Sequence, residues 1–489
     1  MKRVLAWLMA LFLLPFSAPS AESPSCSDLR ALLIGSDTYL TKETTYPIAK
    51  NNLLKLESVL RRDARTYAAI HTYYDEIGHI TALENAVQTA FSDANENDIS
   101  LLYFSTHGSD LHPEGALYLS DGMEENLLSA SELYQITSTI PGKKIILLDA
   151  CNSGAFIQKG IASLSASHPF TGNEHILLTS SGGSEASWQW QGEGEFVSGS
   201  SYFADILCAA LSGTFPSDTN RDGCVTVSEA FAFLSLNDAA STPQCYPENS
   251  AFPLFCYDSS STSLPDQKIT DIIFNDTLLT AGQSTATFSF TVHQETTLYY
   301  QIVYFRAGAW DFENAQHFLD DETGSGTVSP GRKERSLVLD MPNGQDHGYA
   351  MLQFITIENG TPSFHGARLL CIQPARGELS LQAETLASFH PEGHEEMPIL
   401  VRHSLPCSLS VTVKNAQGGT VKRLTYAQPT RPQQLSPAAS TFYWDGTDNR
   451  GNPAAAGEYY IHIQSTLGDE RITAYSAPFT LYQTIPEAP

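Results

Sequence analysis

Lys143-Lys144-Ile145-Ile146-Leu147-Leu148-Asp149-Ala150-Cys151-Asn152-Ser153-Gly154 is a short apolar run that leaves a Pro-Gly turn and stops on an acid, a cysteine and a bend closed by glycine. A run of this length between turn signals predicts a buried strand of a parallel sheet. Ligands of open α/β sheets collect outside the carboxyl ends of such strands, so a thiol at that end is presented rather than packed away. About forty residues earlier stands a second unit of the same build, Asp98-Ile99-Ser100-Leu101-Leu102-Tyr103-Phe104-Ser105-Thr106-His107-Gly108, which ends on a histidine and a glycine.

Two strands that each deliver one half of a thiol–imidazole pair point to nucleophilic catalysis. A cysteine attacks as its thiolate and needs a partner that takes its proton or stabilises the anion; imidazole does so near neutral pH. The tetrahedral intermediate then needs donors, and backbone N–H groups at tight turns supply them. Gly108 and the N–H of Cys151 are the candidates, glycine leaving room for close approach. A lone cysteine or histidine is usually structural. Both at the ends of apolar strands, each beside a glycine bend, make Cys151 the candidate nucleophile and His107 its partner.

Around this pair, apolar strands alternate with helical periodicity. Leu29 to Gly35 predicts a first strand, Ile48 to Tyr67 a helix, His71 to Tyr74 a strand, and Ile80 to Asp93 a second helix. Ser129 to Ile136 predicts a short helix with Ser129 as cap and Glu132 three residues on. Strand 175–181 and helix 200–211 follow. This is the pattern of a mostly parallel sheet with helices on both faces. From about Leu264 the texture changes to short alternating runs rich in Thr, Ser, Val, Tyr and Phe, such as 285–292 and 298–305, which predicts β-sandwich domains. A break near Pro374-Ala375-Arg376-Gly377 divides them, giving three domains at 26–262, 264–375 and 376–489.

The first residues read as a secretory signal over 1–21: Lys2 and Arg3, an apolar stretch from Val4 to Phe16, then small residues up to Ala21. That stretch is too short to span a bilayer comfortably, and nothing later does better. A secreted, periplasmic or cell-surface protein without stable membrane insertion is expected. Of the 27 basic residues, Lys2 and Arg3 leave with the leader, so 25 remain against 54 acids, a formal charge of −29. Such a balance argues against nucleic acid and anionic membrane as partners and suits cationic substrates or calcium. Eight cysteines in an exported chain raise the question of disulfides. Cys245 with Cys256 and Cys208 with Cys224 are local closures that the sequence allows without fixing them.

The two strands resemble the histidine–glycine and Asp-Ala-Cys-x-Ser-Gly signatures of the caspase-like cysteine peptidases, the group of caspases, metacaspases, clostripain, gingipains and legumain. Arg30 to Gly35 is similar to the family's opening strand, Leu177 to Ser181 with Glu185-Ala186 to the strand lining its substrate cleft, and Gly199 to Leu211 to its late helix, followed by Thr242-Pro243-Gln244. The resemblance covers about half the chain. It implies a His107–Cys151 dyad, Gly108 in the oxyanion hole, and Ser180 and Ser181 at the substrate. It also implies that Asp149 lies in the primary specificity pocket and favours arginine or lysine before the cleaved bond. A carboxylate in a partly desolvated pocket can pair bidentately with a guanidinium, which agrees.

Asp218-Thr219-Asn220-Arg221-Asp222-Gly223-Cys224-Val225-Thr226-Val227-Ser228-Glu229 fits the twelve-residue calcium loop. Its ligand places are Asp218, Asn220, Asp222, the Cys224 carbonyl, Thr226 and Glu229, with glycine sixth. A helix from Ser228 to Leu236 is expected to follow. Near the end, Trp444-Asp445-Gly446-Thr447-Asp448-Asn449-Arg450-Gly451-Asn452-Pro453 with Ala456 to Tyr460 resembles the Ig-like region of the flagellar hook-capping protein; Asp445 and Asp448 shape its hairpin in this reading. His112, His168, His175, His390 and His394 show no ligand spacing and are expected in solvated loops.

The sequence thus predicts an exported, calcium-supported cysteine endopeptidase acting on protein or peptide substrates. The other reading is an inactive caspase-like scaffold that serves as a surface adhesin or binding module.

Overall fold

The structure, a computed structural model, describes residues 28–42, 47–112, 114–161, 168–170, 172, 174–190, 199–211, 217–257, 268–282, 285–322, 324–339, 341, 344–358, 361–391, 396–433 and 439–482. The proposed leader at 1–21, Cys26 and His394 lie outside them.

The first domain is built on a six-stranded sheet of β1 (Leu29–Gly35), β2 (Tyr67–Tyr74), β3 (Ile99–Ser105), β4 (Lys143–Asp149), β5 (His175–Thr179) and β6 (Gln244–Tyr246), in the order β6-β5-β4-β3-β1-β2. All pairs are parallel except β6 with β5. β1 and β3 are buried along their whole length, as the unbroken apolar runs require of strands covered on both faces. Leu33, Leu101 and Leu147 pack on one side of the sheet; Ile34, Leu102 and Ile146 pack on the other.

Helices α1 (Ile48–Leu60), α2 (Ile80–Phe91), α3 (Ala130–Thr137), α4 (Tyr202–Leu211) and α5 (Val227–Asn237) flank the sheet. The expected cap of α3 is present: Ser129 and Glu132 satisfy each other's backbone N–H groups. Helix α1 ends at Leu60 rather than at Tyr67, because Asp63 turns the chain, accepting from the Arg65 backbone N–H at 2.9 Å and pairing with the Arg65 guanidinium at 2.6 Å. The strand expected at 71–74 accordingly begins earlier, at Tyr67.

The second domain packs a three-stranded sheet (Ile269–Phe274, Thr285–Val292, Gly331–Val338) on a larger one containing β7 (Thr297–Arg306), β8 (Gly348–Glu358) and β9 (Thr361–Gln373). Along β8 the alternation divides two cores. Ala350, Leu352 and Phe354 fill the sandwich with Phe288 and Phe290, while Met351 and Ile355 join the first-domain core beside α4 and α5. The outer face of the second domain is therefore buried against the first, which the alternating pattern alone did not reveal. The third domain is another sandwich, centred on Trp444, Ile461 and Ile463. Among the described residues no helix is long and apolar enough to cross a membrane.

Two expectations about cysteine and histidine need correction. Among the described residues a disulfide joins Cys224 to Cys256, not Cys245 to Cys256 or Cys208 to Cys224. Residues 224–226 pair antiparallel with the Pro253–Cys256 strand and place the two cysteines opposite each other, whereas Cys245 is buried in β6 and Cys208 lies on α4. His175 and His168 are not solvated loop residues. His175 is buried at the start of β5 with Nε2 3.1 Å from the Thr137 hydroxyl, and His168 packs its ring edge-on against Tyr246.

Candidate active site

The register of the sheet brings the two signature strands together. Gly35, Ser105 and Asp149 are neighbours across β1, β3 and β4. His107 and Cys151, each two residues further on, leave the sheet at the same edge and line one cleft of about 570 Å³. A methyl group added at Gly108 would fall 1.7 Å from the Cys151 carbonyl oxygen and 3.1 Å from its nitrogen. No residue other than glycine can occupy that position, and the backbones of the two expected oxyanion donors run side by side.

The His107 ring rests against Tyr39 at a centroid distance of 4.5 Å, and its backbone N–H donates to the Tyr39 hydroxyl at 3.0 Å. Burial, helped by the positive charge of Lys42, lowers the imidazole pKa below its ordinary value. Burial raises that of the Cys151 thiol, whose S–H points to the carbonyl of Ser187 at 3.8 Å. Both shifts favour the neutral forms at rest, a thiol and an imidazole that line one cleft.

Asp149 lies at the base of the cleft, 5% exposed. Its Oδ2 accepts from the hydroxyls of Tyr103 (2.8 Å) and Ser201 and lies 3.4 Å from the Asn52 amide; Oδ1 has only a long contact, 3.4 Å, with the Ser187 hydroxyl. Burial dominates and pushes its pKa up to about 6, against those hydrogen bonds. Among the described residues the cleft lining holds three carboxylates (Asp37, Asp149 and Glu313) and no lysine or arginine. Asn52 is a site residue that sequence reasoning missed. It is buried on α1, donates to the Ser105 hydroxyl at 3.0 Å and accepts from the Ser201 backbone N–H at 3.1 Å, so it ties the cleft wall to the strand ends. An amide beside Leu53 and Leu56 on the buried face of a helix was the available signal.

Ser180 and Ser181 do not line the cleft. Both are fully buried under the cysteine loop. The Ser180 hydroxyl accepts from the Ala150 N–H at 3.0 Å, and the Ser181 hydroxyl donates to the Ala150 carbonyl at 3.1 Å. They hold the Ala150 backbone that leads into Cys151. The loop is also fixed by the Gly154 N–H on the Ser181 carbonyl and the Asn152 N–H on the Glu185 carbonyl.

At the expected calcium loop, Asp218 accepts from the N–H groups of Arg221, Asp222 and Gly223, and Gly223 takes the left-handed φ of +89° that the sixth place requires. Glu229 folds back over the loop's start. However, its Oε1 accepts from Thr219 and its Oε2 from Thr226, whose hydroxyl caps α5 in return. The donors fit calcium by type and order, but among the described residues no three carboxylate, histidine or cysteine groups converge on a common point. The Cys224–Cys256 bond ties the seventh place of this loop to the Pro253–Cys256 strand. In the third domain, Asp445 and Asp448 accept from backbone N–H groups of their own hairpin, as expected.

Residues 28–254 match the caspase domain family, and residues 406–469 match the FlgD Ig-like domain family. The chain therefore carries a caspase-like domain followed by β-sandwich domains, the last of them Ig-like. Solved structures similar to it include Caspase-1 from Spodoptera frugiperda (14% identity, covering 47% of this chain and 96% of that one, TM-score 0.31) and the Drosophila initiator caspase Dronc (8% identity, 42% and 71%, TM-score 0.28). No curated protein sequence matches the chain.

Proposed function

We propose that the protein is an exported cysteine endopeptidase that cleaves peptide bonds after arginine or lysine. The observation that carries this is the cleft itself: Cys151 and His107 share it with a buried carboxylate, Asp149, and no cation lines it among the described residues. A guanidinium entering the cleft meets the lightly used Oδ1 of Asp149, and pairing there offsets the cost of keeping that charge buried. His107 takes the thiol proton, sulfur attacks the scissile carbonyl, and the backbone N–H groups of Gly108 and Cys151 receive the oxyanion. His107 then returns the proton to the leaving amine, and water completes hydrolysis of the thioester.

The leader-like residues 1–21 support export, and the Cys224–Cys256 disulfide is in keeping with an oxidising compartment. Calcium is proposed as a structural ligand of 218–229 that would have to draw Glu229 off its Thr226 cap; no chemical step depends on it.

The test is kcat/KM of the full chain on peptides with arginine, lysine, asparagine or aspartate before the bond. Cleavage after arginine and lysine that disappears in Cys151→Ala, and that Asp149→Asn weakens selectively, is expected. A preference for aspartate or asparagine would overturn the specificity. Cleavage that survives Cys151→Ala would overturn the mechanism.

A further inference from the structure

The second domain reaches into the catalytic cleft. Its β7 hairpin carries Trp310, which is buried and donates its indole N–H to the Ala240 carbonyl of the first domain at 2.9 Å. That anchor holds the one-turn segment Phe312–Asn314 beside first-domain Trp188, with the Phe312 and Trp188 ring centroids 6.0 Å apart. Gln301, Phe312 and Glu313 line the same cleft as His107, Asp149 and Cys151. The link continues behind the wall, where Gln353, the β8 partner of Gln301, donates to the Tyr202 hydroxyl at 2.7 Å, next to the Ser201 that holds Asp149.

The acids of this region differ in what occupies them. Asp37 caps α1 through the N–H groups of Ala49 and Lys50. Asp311 pairs with Arg306 at 3.0 Å and accepts from Asn314. Glu313 is exposed at the cleft mouth and has no ion pair among the described residues.

We propose that Phe312, Glu313 and Trp188 form a second substrate subsite for a basic side chain, on the N-terminal side of the residue that Asp149 binds, so that the enzyme favours substrates with two neighbouring basic residues. This rests on the Asp149 reading above. The stem and head of an arginine or lysine lie along aromatic faces, and its charge meets the carboxylate beyond them. Aromatic walls exclude water on one side and strengthen that pairing relative to an open surface. The β-sandwich is thus part of the substrate-binding unit.

The full chain is assayed on peptides with arginine before the cleaved bond and arginine, lysine, glutamine or glutamate preceding it. A kcat/KM about five- to tenfold higher for the basic pair than for glutamine is expected, consistent with one partly desolvated ion pair. Glu313→Gln should bring that ratio within twofold of one, and Phe312→Ala should lower it, with melting temperatures confirming that both variants fold. A wild-type ratio near one, or a ratio that Glu313→Gln leaves in place, overturns the subsite. If no arginyl peptide is cleaved, the proposed reaction fails instead. The subsite is then read from binding of the same labelled peptides to Cys151→Ala by fluorescence polarisation, where equal affinity for basic and glutamine peptides overturns it.

Discussion

Gly108 lies so close against Cys151 that any side chain on it would occupy the space of the Cys151 carbonyl. The contact follows from the sheet. β3 and β4 run parallel with Ser105 opposite Asp149, so the residues just beyond them must pass each other in the narrow gap at the sheet edge. The proposed nucleophile, its imidazole partner and both proposed backbone donors are brought to one edge by this register.

Gly108→Ala tests this directly. Placing a methyl 1.7 Å from a carbonyl oxygen forces the two loops apart. Overpacking of this kind costs about 1–3 kcal/mol, and displaced oxyanion donors cost about 10²-fold or more in kcat. A variant that retained full activity in a peptide-cleavage assay would separate Gly108 from the oxyanion site.

The state of the resting pair sets a pH dependence. With the imidazole pKa lowered and the thiol pKa raised, both groups are neutral at pH 7. The alkylation rate of Cys151 by iodoacetamide should climb as pH rises from 6 to 9, and His107→Ala should reduce it near neutrality. A rate that stayed flat from pH 5 to 8 would reveal a thiolate–imidazolium pair instead.

Asp149 links the proposed specificity to stability. Its folded pKa of about 6 lies above its ordinary value of 3.8, so the folded state binds this proton more tightly than the unfolded chain does. The resulting stability is fully present below pH 3.8 and is lost as pH rises through 6. The proposed recognition of arginine runs the other way, because it needs the ionised carboxylate. KM for arginyl peptides should fall as pH rises through about 6. The stability of Asp149→Asn relative to wild type should improve from pH 5 to pH 8, as followed by urea unfolding; a pH-independent difference would contradict the assignment.

Lys159 couples the cysteine loop to the third domain. It is 3% exposed, lies 2.7 Å from both Glu248 and Glu396, and sits 4.8 Å above the Tyr443 ring, while the neighbouring Gly160 N–H donates to the Tyr443 hydroxyl. The two carboxylates hold its pKa above the ordinary lysine value despite burial. Lys159→Met would leave them facing each other without a cation, at a cost of about 3–5 kcal/mol. Lys159→Met with Glu396→Gln should recover part of that loss in denaturant unfolding. An additive double variant would show that the groups do not interact.

Calcium is tested by the melting temperature of the full chain with millimolar calcium or with chelator. A rise of a few degrees with calcium is expected, by mass action on the folded state, and Glu229→Gln should remove it. An unchanged melting temperature in both conditions would leave the disulfide and the loop's own hydrogen bonds to hold this segment.

Several features were legible from short-range patterns. The strands ending at Ser105 and Asp149 are apolar runs cut off by turn residues, and such runs are buried wherever they pair. The α3 cap depends on residues three apart. The loop at 218–229 and the third-domain hairpin around Asp445 depend on side chains that hydrogen-bond backbone within a few residues. Other features were misread because they depend on distant partners. Ser180 and Ser181 followed a strand toward the cleft, yet the fold drew the cysteine loop over them. Cys224 chose Cys256 through an antiparallel pairing 32 residues away, which sequence spacing does not encode.

The sequence alone determined which residues could perform chemistry, because a thiol, an imidazole and a carboxylate at the ends of buried strands keep their reactivity in any setting that exposes them. It also determined the succession of an α/β domain and two β-sandwiches, since periodicity is a local property. Only the tertiary structure decided that Asp149 is buried in the same cleft as Cys151 and His107. It also decided that Asn52 and Ser201 hold that carboxylate, and that Phe312 and Glu313 of the second domain close one side of the cleft. Those relationships arise from packing between segments far apart in the chain, where burial and alignment of charges are set by the partner surface and not by neighbouring residues.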